Sequence, residues 1–147
     1  ERLLRKFETA KHYMPKPEVR PGAKPSRYGA IYYGSTAPAM EEALALFEAE
    51  GIHLDALRVR AFPFQDTVID FVNDHDHVFV IEQNRDGQLR TLLVAEGAID
   101  PSRLGSVLHF DGTPITARFI HGDIAKRLSA LQVTPIRRTA AGGASGE

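Results

Sequence analysis

The sequence predicts an open, mostly parallel α/β sheet with helices packed on both faces. Three observations carry that prediction. From Tyr28 onward, β-branched and aromatic stretches alternate with stretches whose apolar residues recur at helical spacing. HVFVIEQN, beginning at His77, holds an unbroken apolar run from Val78 to Ile81, the mark of a strand covered on both faces. Strand and helix follow each other four times with short connections, and right-handed crossovers between parallel neighbours satisfy that order.

The elements can be justified in turn. ERLLRKFETAK puts Leu3, Leu4 and Phe7 on one helical face with no capping residue ahead of it, so it reads as the end of a helix from a longer protein. Pro15, Pro17, Pro21, Pro25 and Gly22 then hold the backbone extended, with a short edge strand expected at Glu18–Arg20. YGAIYYGS is the first core strand and leads through Gly34, Ser35 and Thr36 into APAMEEALALFEAEG, where Met40, Ala43, Leu44 and Phe47 form a helical stripe ended by Gly51. A second strand is expected at about residues 55–62, followed by a helix in FQDTVIDFVNDH carrying Val68, Phe71 and Val72. HVFVIEQN is the third core strand, DGQLRTLLVAEG a short helix and GSVLHF the fourth core strand. In TPITARFIHGDIAKRLSAL, Ile120, Ile124, Leu128 and Leu131 mark the buried stripe, with Pro114 near the first turn.

The expected organisation is thus a helix end plus proline-rich linker from a preceding domain over 1–27, an α/β domain over 28–131 and a disordered tail over 132–147. The 18 Lys and Arg against 19 Asp and Glu give a net charge of −1, which argues against a basic nucleic-acid binder. No apolar run is long enough to span a membrane. With no cysteine, the chain cannot form a disulfide, a thiolate nucleophile or a cysteine-ligated metal site, and a reducing cytoplasm is the expected compartment.

Open α/β sheets bind ligands beyond the carboxyl ends of their strands. That edge collects Gly34, Ser35 and Thr36; Pro63 to Asp66; Glu82 to Asp86; and His109, Asp111, Gly112 and Thr113. The Gly34-Ser35-Thr36 turn opens a helix, where backbone N–H groups and the helix dipole favour an anion, although capping is the commoner use of such residues. There is no GxGxxG and no GxxxxGK[ST]. In Glu82–Gln88, a carboxylate, amides and a guanidinium can orient a polar ligand or a partner's loop; equally, Glu82 and Asn84 can satisfy loop backbone while Gly87 supplies a turn. Both readings stand open.

Asp74-His75-Asp76-His77 has ligand types that suit zinc, but it lies at the opposite edge of the sheet and reads as a solvated turn. His109 and Asp111 lie at the favourable edge without a Ser or Cys nucleophile motif, and His12, His53 and His121 read as surface or linker residues. No residue is expected to be catalytic or to bind metal.

Four blocks, YGAIYYGSTAPAMEEAL, LDALRVRAFPF, HVFVIEQNRDGQLRTLL and LHFDGTPITARFI, resemble in order and spacing the C-terminal part of the alpha subunit of 2-oxoacid:ferredoxin oxidoreductases, with the 2-oxoglutarate type the better fit. The resemblance covers about residues 1–131, including ETAKHYMPKP. It implies a transketolase C-terminal-like domain: a three-layer α/β/α sandwich of about five strands, mostly parallel, with an antiparallel first strand that would place Glu18–Arg20 at an edge. It further implies an enzyme that converts a 2-oxoacid and coenzyme A to acyl-CoA and CO2 and passes electrons to ferredoxin. Thiamine diphosphate with Mg and a [4Fe-4S] cluster would be held mainly by the beta subunit, with the preceding alpha-subunit domain completing the thiamine site. On that reading the present segment holds no cofactor and is inactive alone. It would pack against the upstream domains of the alpha subunit and against the beta subunit. Its carboxyl-edge residues Ser35, Thr36, Gln83, Asn84 and Arg85 are candidates to line a coenzyme A or substrate channel.

Two other classes compete. One is a self-contained phosphate- or nucleotide-binding α/β module that uses the Gly34-Ser35-Thr36 turn as its anion cradle; the other is a purely structural interaction domain. A subunit fragment should expose an apolar patch where its neighbour docks, whereas a self-contained module should show a charged surface with one concave pocket.

Overall fold

The structure is a computed structural model that describes Lys6 and residues 9–133. The expected apolar face of Leu3, Leu4 and Phe7 lies outside the described residues, as does the expected tail over 132–147 except for its first two residues, which continue the last helix to Val133. In chain order come β1 (Glu18–Arg20), β2 (Tyr28–Tyr33), a 3₁₀ turn (Gly34–Thr36), α1 (Ala37–Ala49), β3 (Asp55–Val59), α2 (Asp66–Asp74), β4 (His77–Glu82), α3 (Gln88–Gly97), a second 3₁₀ turn (Pro101–Arg103), β5 (Leu104–Leu108) and α4 (Ala117–Val133).

The five strands form one sheet in the order β1-β3-β2-β4-β5. β1 runs antiparallel to β3, with Val19 opposite Leu57. All other pairs are parallel, and Ile31 sits between Leu57 on β3 and Val80 on β4. The antiparallel edge position implied for Glu18–Arg20 is therefore what the sheet shows. Proline on either side keeps β1 short, which suits an edge strand.

Alternation along the strands builds two cores. Phe79 and Ile81 face α1 and α4, joining Met40, Phe47, Ile120 and Ile124; Val78 and Val80 face α2 and α3, joining Val68, Phe71, Val72 and Leu93. All four β4 side chains are fully buried, which explains the apolar run, and each contributes about 1.5–3 kcal/mol of hydrophobic stabilisation. Close approach constrains β2: a Cβ on Gly29 would lie 2.8 Å from Phe71 Cε1.

Three boundaries differ from the sequence expectation. β3 stops at Val59, because residues 60–63 form the loop that turns into α2. β4 ends at Glu82, whose side chain turns back to hold the next helix. Pro114 precedes α4 rather than sitting in its first turn; the helix starts at Ala117, where Thr116 Oγ1 accepts the Phe119 N–H at 3.2 Å.

Candidate functional site

The sheet order places a crevice between the carboxyl ends of β2 and β4. α1 leaves β2 toward one core and α3 leaves β4 toward the other, so the loops after these neighbouring strands diverge. Such a point of divergence is where open α/β sheets place ligands. Gly34–Thr36 and Gln83–Gly87 line the two sides.

Glu82 organises one side. Its carboxylate is fully buried and accepts the backbone N–H groups of Leu89 at 2.6 Å and Arg90 at 3.2 Å, together with the Asn84 side-chain amide at 3.0 Å. The α3 N-terminus thus holds an anion supplied by the chain itself. Asn84 Oδ1 accepts the N–H groups of Asp86, Gly87 and Gln88, while Gly87 adopts a left-handed conformation at φ 61°. Of the two readings left open for this stretch, loop support by Glu82 and Asn84 is what these bonds display. Arg85 stands apart: its exposed guanidinium pairs with Asp86 at 2.8 Å.

Gln83 ties the two sides together. Its side-chain amide donates to Ser35 Oγ at 3.1 Å and Thr36 Oγ1 at 3.2 Å, and its Oε1 accepts the Ile115 N–H at 3.4 Å. Neither hydroxyl caps α1: the helix has no side-chain cap bond. The plain capping role is therefore not what Ser35 and Thr36 perform, because the 3₁₀ turn runs straight into the helix and leaves no extended N-cap residue. Anion-binding capacity is also reduced there, since the Ala37 N–H is already bonded to the Gly34 carbonyl and Pro38 has no N–H. Ser35, Thr36 and Gln83 meet in one network; Asn84 braces its own loop and Glu82, and Arg85 joins neither.

His109 is buried and fixed. Its Nε2 lies 3.0 Å from the Thr113 carbonyl and 3.1 Å from Asp111 Oδ1. Hydrogen bonds from the Thr113 hydroxyl and N–H hold the Asp111 carboxyl below its ordinary value. These residues close the loop ahead of α4.

Beside this polar network lies a feature the sequence analysis missed. A hollow of about 500 Å³ opens between the ends of β2 and β3 and the first turns of α3, walled by Tyr33, Val59, Phe62, Phe64, Leu89 and Leu92. Its signal in the sequence was the pair of phenylalanines flanking Pro63 in a loop, where polar residues are the norm.

At the opposite edge, Asp74 and Asp76 are exposed as expected of a solvated turn, but the two histidines of the segment are not. His75 is 5% exposed, with Nδ1 2.6 Å from the Phe71 carbonyl and Nε2 3.0 Å from Asp55 Oδ2. Asp55 Oδ1 accepts the Gly22 N–H at 2.7 Å, and Asp76 pairs with Arg27. The segment ties the linker to the sheet. His53 and His121 are half-buried and paired with Glu48 and Glu50, whereas His12 is exposed. Among the described residues, no three His, Asp or Glu side chains gather as a metal site, and no helix is long and apolar enough to cross a membrane.

No family model matches the chain. A curated relative, the alpha subunit of 2-oxoacid:ferredoxin oxidoreductase 2 from Aeropyrum pernix, is 28% identical over 128 residues, covering 84% of this chain and 20% of its own. Among solved structures, 2-oxoglutarate:ferredoxin oxidoreductase from Magnetococcus marinus, with 2-oxoglutarate, coenzyme A and succinyl-CoA bound, matches 82% of this chain and 21% of its own at a TM-score of 0.73 and 24% identity. The alpha chain of a probable 2-oxoacid ferredoxin oxidoreductase from Thermoplasma acidophilum matches 78% of this chain and 97% of its own at a TM-score of 0.52 and 21% identity. A split-gene transketolase, described as an inactive beta4 tetramer, matches 76% of this chain and 41% of its own at a TM-score of 0.57 and 20% identity. The chain therefore spans about a fifth of the Aeropyrum subunit and of the Magnetococcus chain. In sequence the chain is similar to the C-terminal part of an alpha subunit of a 2-oxoacid:ferredoxin oxidoreductase, and its fold is transketolase C-terminal-like.

Proposed function

We propose that the chain is the C-terminal domain of the alpha subunit of a 2-oxoacid:ferredoxin oxidoreductase, with 2-oxoglutarate as the substrate. The complete enzyme would convert the 2-oxoacid and coenzyme A to acyl-CoA and CO2 and pass two electrons to ferredoxin. The domain would run from the edge strand at Glu18 to the end of α4 at Val133, wider than the expected 28–131, with the residues before Glu18 as its connection to the preceding domain and those after Val133 as a tail. A cytoplasmic location fits this reading.

The observation that carries the proposal is how the carboxyl edge uses its polar groups. Among the described residues, no buried side-chain nitrogen or oxygen lacks a partner, and Glu82, Gln83 and Asn84 all bind the chain's own loops. An edge built in this way holds a shape. There is no cysteine to hold an iron–sulfur cluster, and among the described residues no three His, Asp or Glu side chains gather as a metal site. The chain's contribution is to support the thiamine-site domain and to pack against the beta subunit.

The self-contained phosphate- or nucleotide-binding module is disfavoured on the same grounds. One helix N-terminus at the crevice is filled by Glu82, and the other is depleted by Pro38.

Ser35, Gln83 and Arg85 have exposed side chains on the loops of the carboxyl edge, while Thr36 and Asn84 hold those loops. We propose these five as the lining of a coenzyme A or substrate channel. Replacing Arg85 with alanine in the complete enzyme is the clean test, because its guanidinium holds no backbone group. A raised KM for coenzyme A or for the 2-oxoacid is expected, and unchanged kinetics would sink the assignment. Asn84→Ala should raise the same KM, with an added loss of stability from the loop it braces. The coding sequence upstream of Glu1 tests the larger reading, which requires a long alpha subunit beside a cysteine-containing beta subunit.

A further inference from the structure

We infer that the hollow between β2, β3 and α3 is the seat of a bulky, uncharged side chain carried by another part of the same alpha subunit. The inference rests on the function proposed above. This chain matches 20% of the Aeropyrum subunit, so in a subunit of that length the greater part lies outside it.

At the rim, Tyr33, Phe62 and Leu92 are 39%, 41% and 37% exposed, three bulky apolar side chains gathered around one concavity. Single exposed apolar residues are ordinary, but a cluster around a hollow marks a surface that is covered in the assembled protein. Charge selects the kind of side chain that covers it. Arg60 is the charged residue of the lining, and its guanidinium lies 3.4 Å from Glu18 Oε1. The amides at the start of α3, which would otherwise receive an anion, are taken by Glu82 and Asn84. What remains is an apolar hollow without an uncompensated charge, suited to an aromatic or branched aliphatic side chain.

Titration with N-phenylnaphthylamine, a neutral fluorophore, tests this. The chain alone should bind it at one saturable site, and Leu92→Arg should weaken binding at least tenfold. Leu92 lies on the exposed side of α3, and Phe62→Ser provides a second variant from a different wall. The complete alpha subunit should bind the probe at least tenfold more weakly than the chain alone, because the seat is filled. Equal binding by chain and subunit would overturn the inference and mark the hollow as an open small-molecule site. Failure of the chain to bind, or binding indifferent to both variants, would also overturn it. If the parent reading is the one at fault, the complete subunit with its partner fails in the oxidoreductase assay, a readout that does not involve the probe.

Discussion

Glu82 and Leu89 form the bond on which the carboxyl edge turns: a fully buried carboxylate accepts a helix N-terminal amide at 2.6 Å. Glu82→Ala should be severely destabilising, by about 2–4 kcal/mol, because the Leu89 and Arg90 amides and the Asn84 side chain lose their acceptor inside the protein. Glu82→Gln keeps one acceptor but turns an NH2 toward groups that are already donors, so it should cost less than alanine yet remain clearly measurable. Urea unfolding of the two variants checks the order. Equal stability of wild type and Glu82→Ala would show that this helix start does not depend on the carboxylate.

Gly29 and Phe71 are predicted to be coupled. A Cβ at residue 29 would lie 2.8 Å and 2.9 Å from two atoms of the Phe71 ring, in a strand with neighbours on both sides. Gly29→Ala should cost about 1–3 kcal/mol through overpacking. Shortening the ring with Phe71→Leu should relieve part of that cost, so the double variant should be more stable than the sum of the single effects. A double-mutant cycle by thermal or urea unfolding reads the coupling, and strict additivity would refute it.

Asp55 joins three pieces of chain that the sequence keeps apart. One oxygen takes the Gly22 N–H and the other faces His75 Nε2 at 3.0 Å. Asp55→Ala should therefore destabilise the fold by about 1.5–3 kcal/mol, the range for a hydrogen-bonded charged group. It should also speed proteolytic cleavage between Gly22 and Arg27. Loss of global stability with no change in cleavage there would mean that the linker is held by other contacts.

These residues also show what a sequence can and cannot reveal. Val78–Ile81 was legible as a central strand because apolar side chains are needed on both faces of such a strand, and that need is local. Edge strand β1 was legible because prolines on both sides fix an extended backbone and limit pairing. The buried His75 was not legible: its partner Asp55 lies on another strand, and a run of Asp and His looks like solvated turn until the fold brings that carboxylate to the ring. The start of α4 was misplaced for a similar reason, since Pro114 and Thr116 are both helix-start residues and the packing of buried Ile115 and Ala117 decides between them. At the candidate site, polarity singled out loops that the structure brings together. It did not show that Gln83 bridges them, because hydrogen bonds from residue 83 to residues 35 and 36 depend on strand order.

The hydroxyl pair at the crevice gives a further test. Gln83→Leu removes the amide that joins Ser35 and Thr36 to the loop before α4 while keeping a side chain of similar length. The expected result is faster amide hydrogen exchange over residues 34–37 and 112–116, with modest loss of global stability, because local opening responds to local bonds. Unchanged exchange in both segments would remove Gln83 as their link.

His77 sets the expected acid response near neutrality. Burial lowers its pKa below the ordinary 6.5, the charges of Arg127 and Arg90 act in the same direction, and a backbone hydrogen bond involving Ser102 opposes them. The imidazole packs against Phe79, with ring centroids 5.1 Å apart, and a Cβ on Gly105 would fall 2.6 Å from its Nε2. Once the pH falls below 6.5, the unfolded chain takes up this proton more readily than the folded one, so ν_U exceeds ν_N and stability must fall with pH. The loss should begin near 6.5 and level off below the lowered folded value. The lowered carboxyls of Glu48, Asp100 and Asp111 act in a separate window, since their contributions are lost only as pH falls below ordinary values of 4.5 for the Glu and 3.8 for the two Asp. Replacing His77 with glutamine should therefore flatten the stability profile just below 6.5 and leave the more acidic limb in place. Chemical denaturation across that range measures both limbs, and an unchanged upper limb in the variant would assign it to another group.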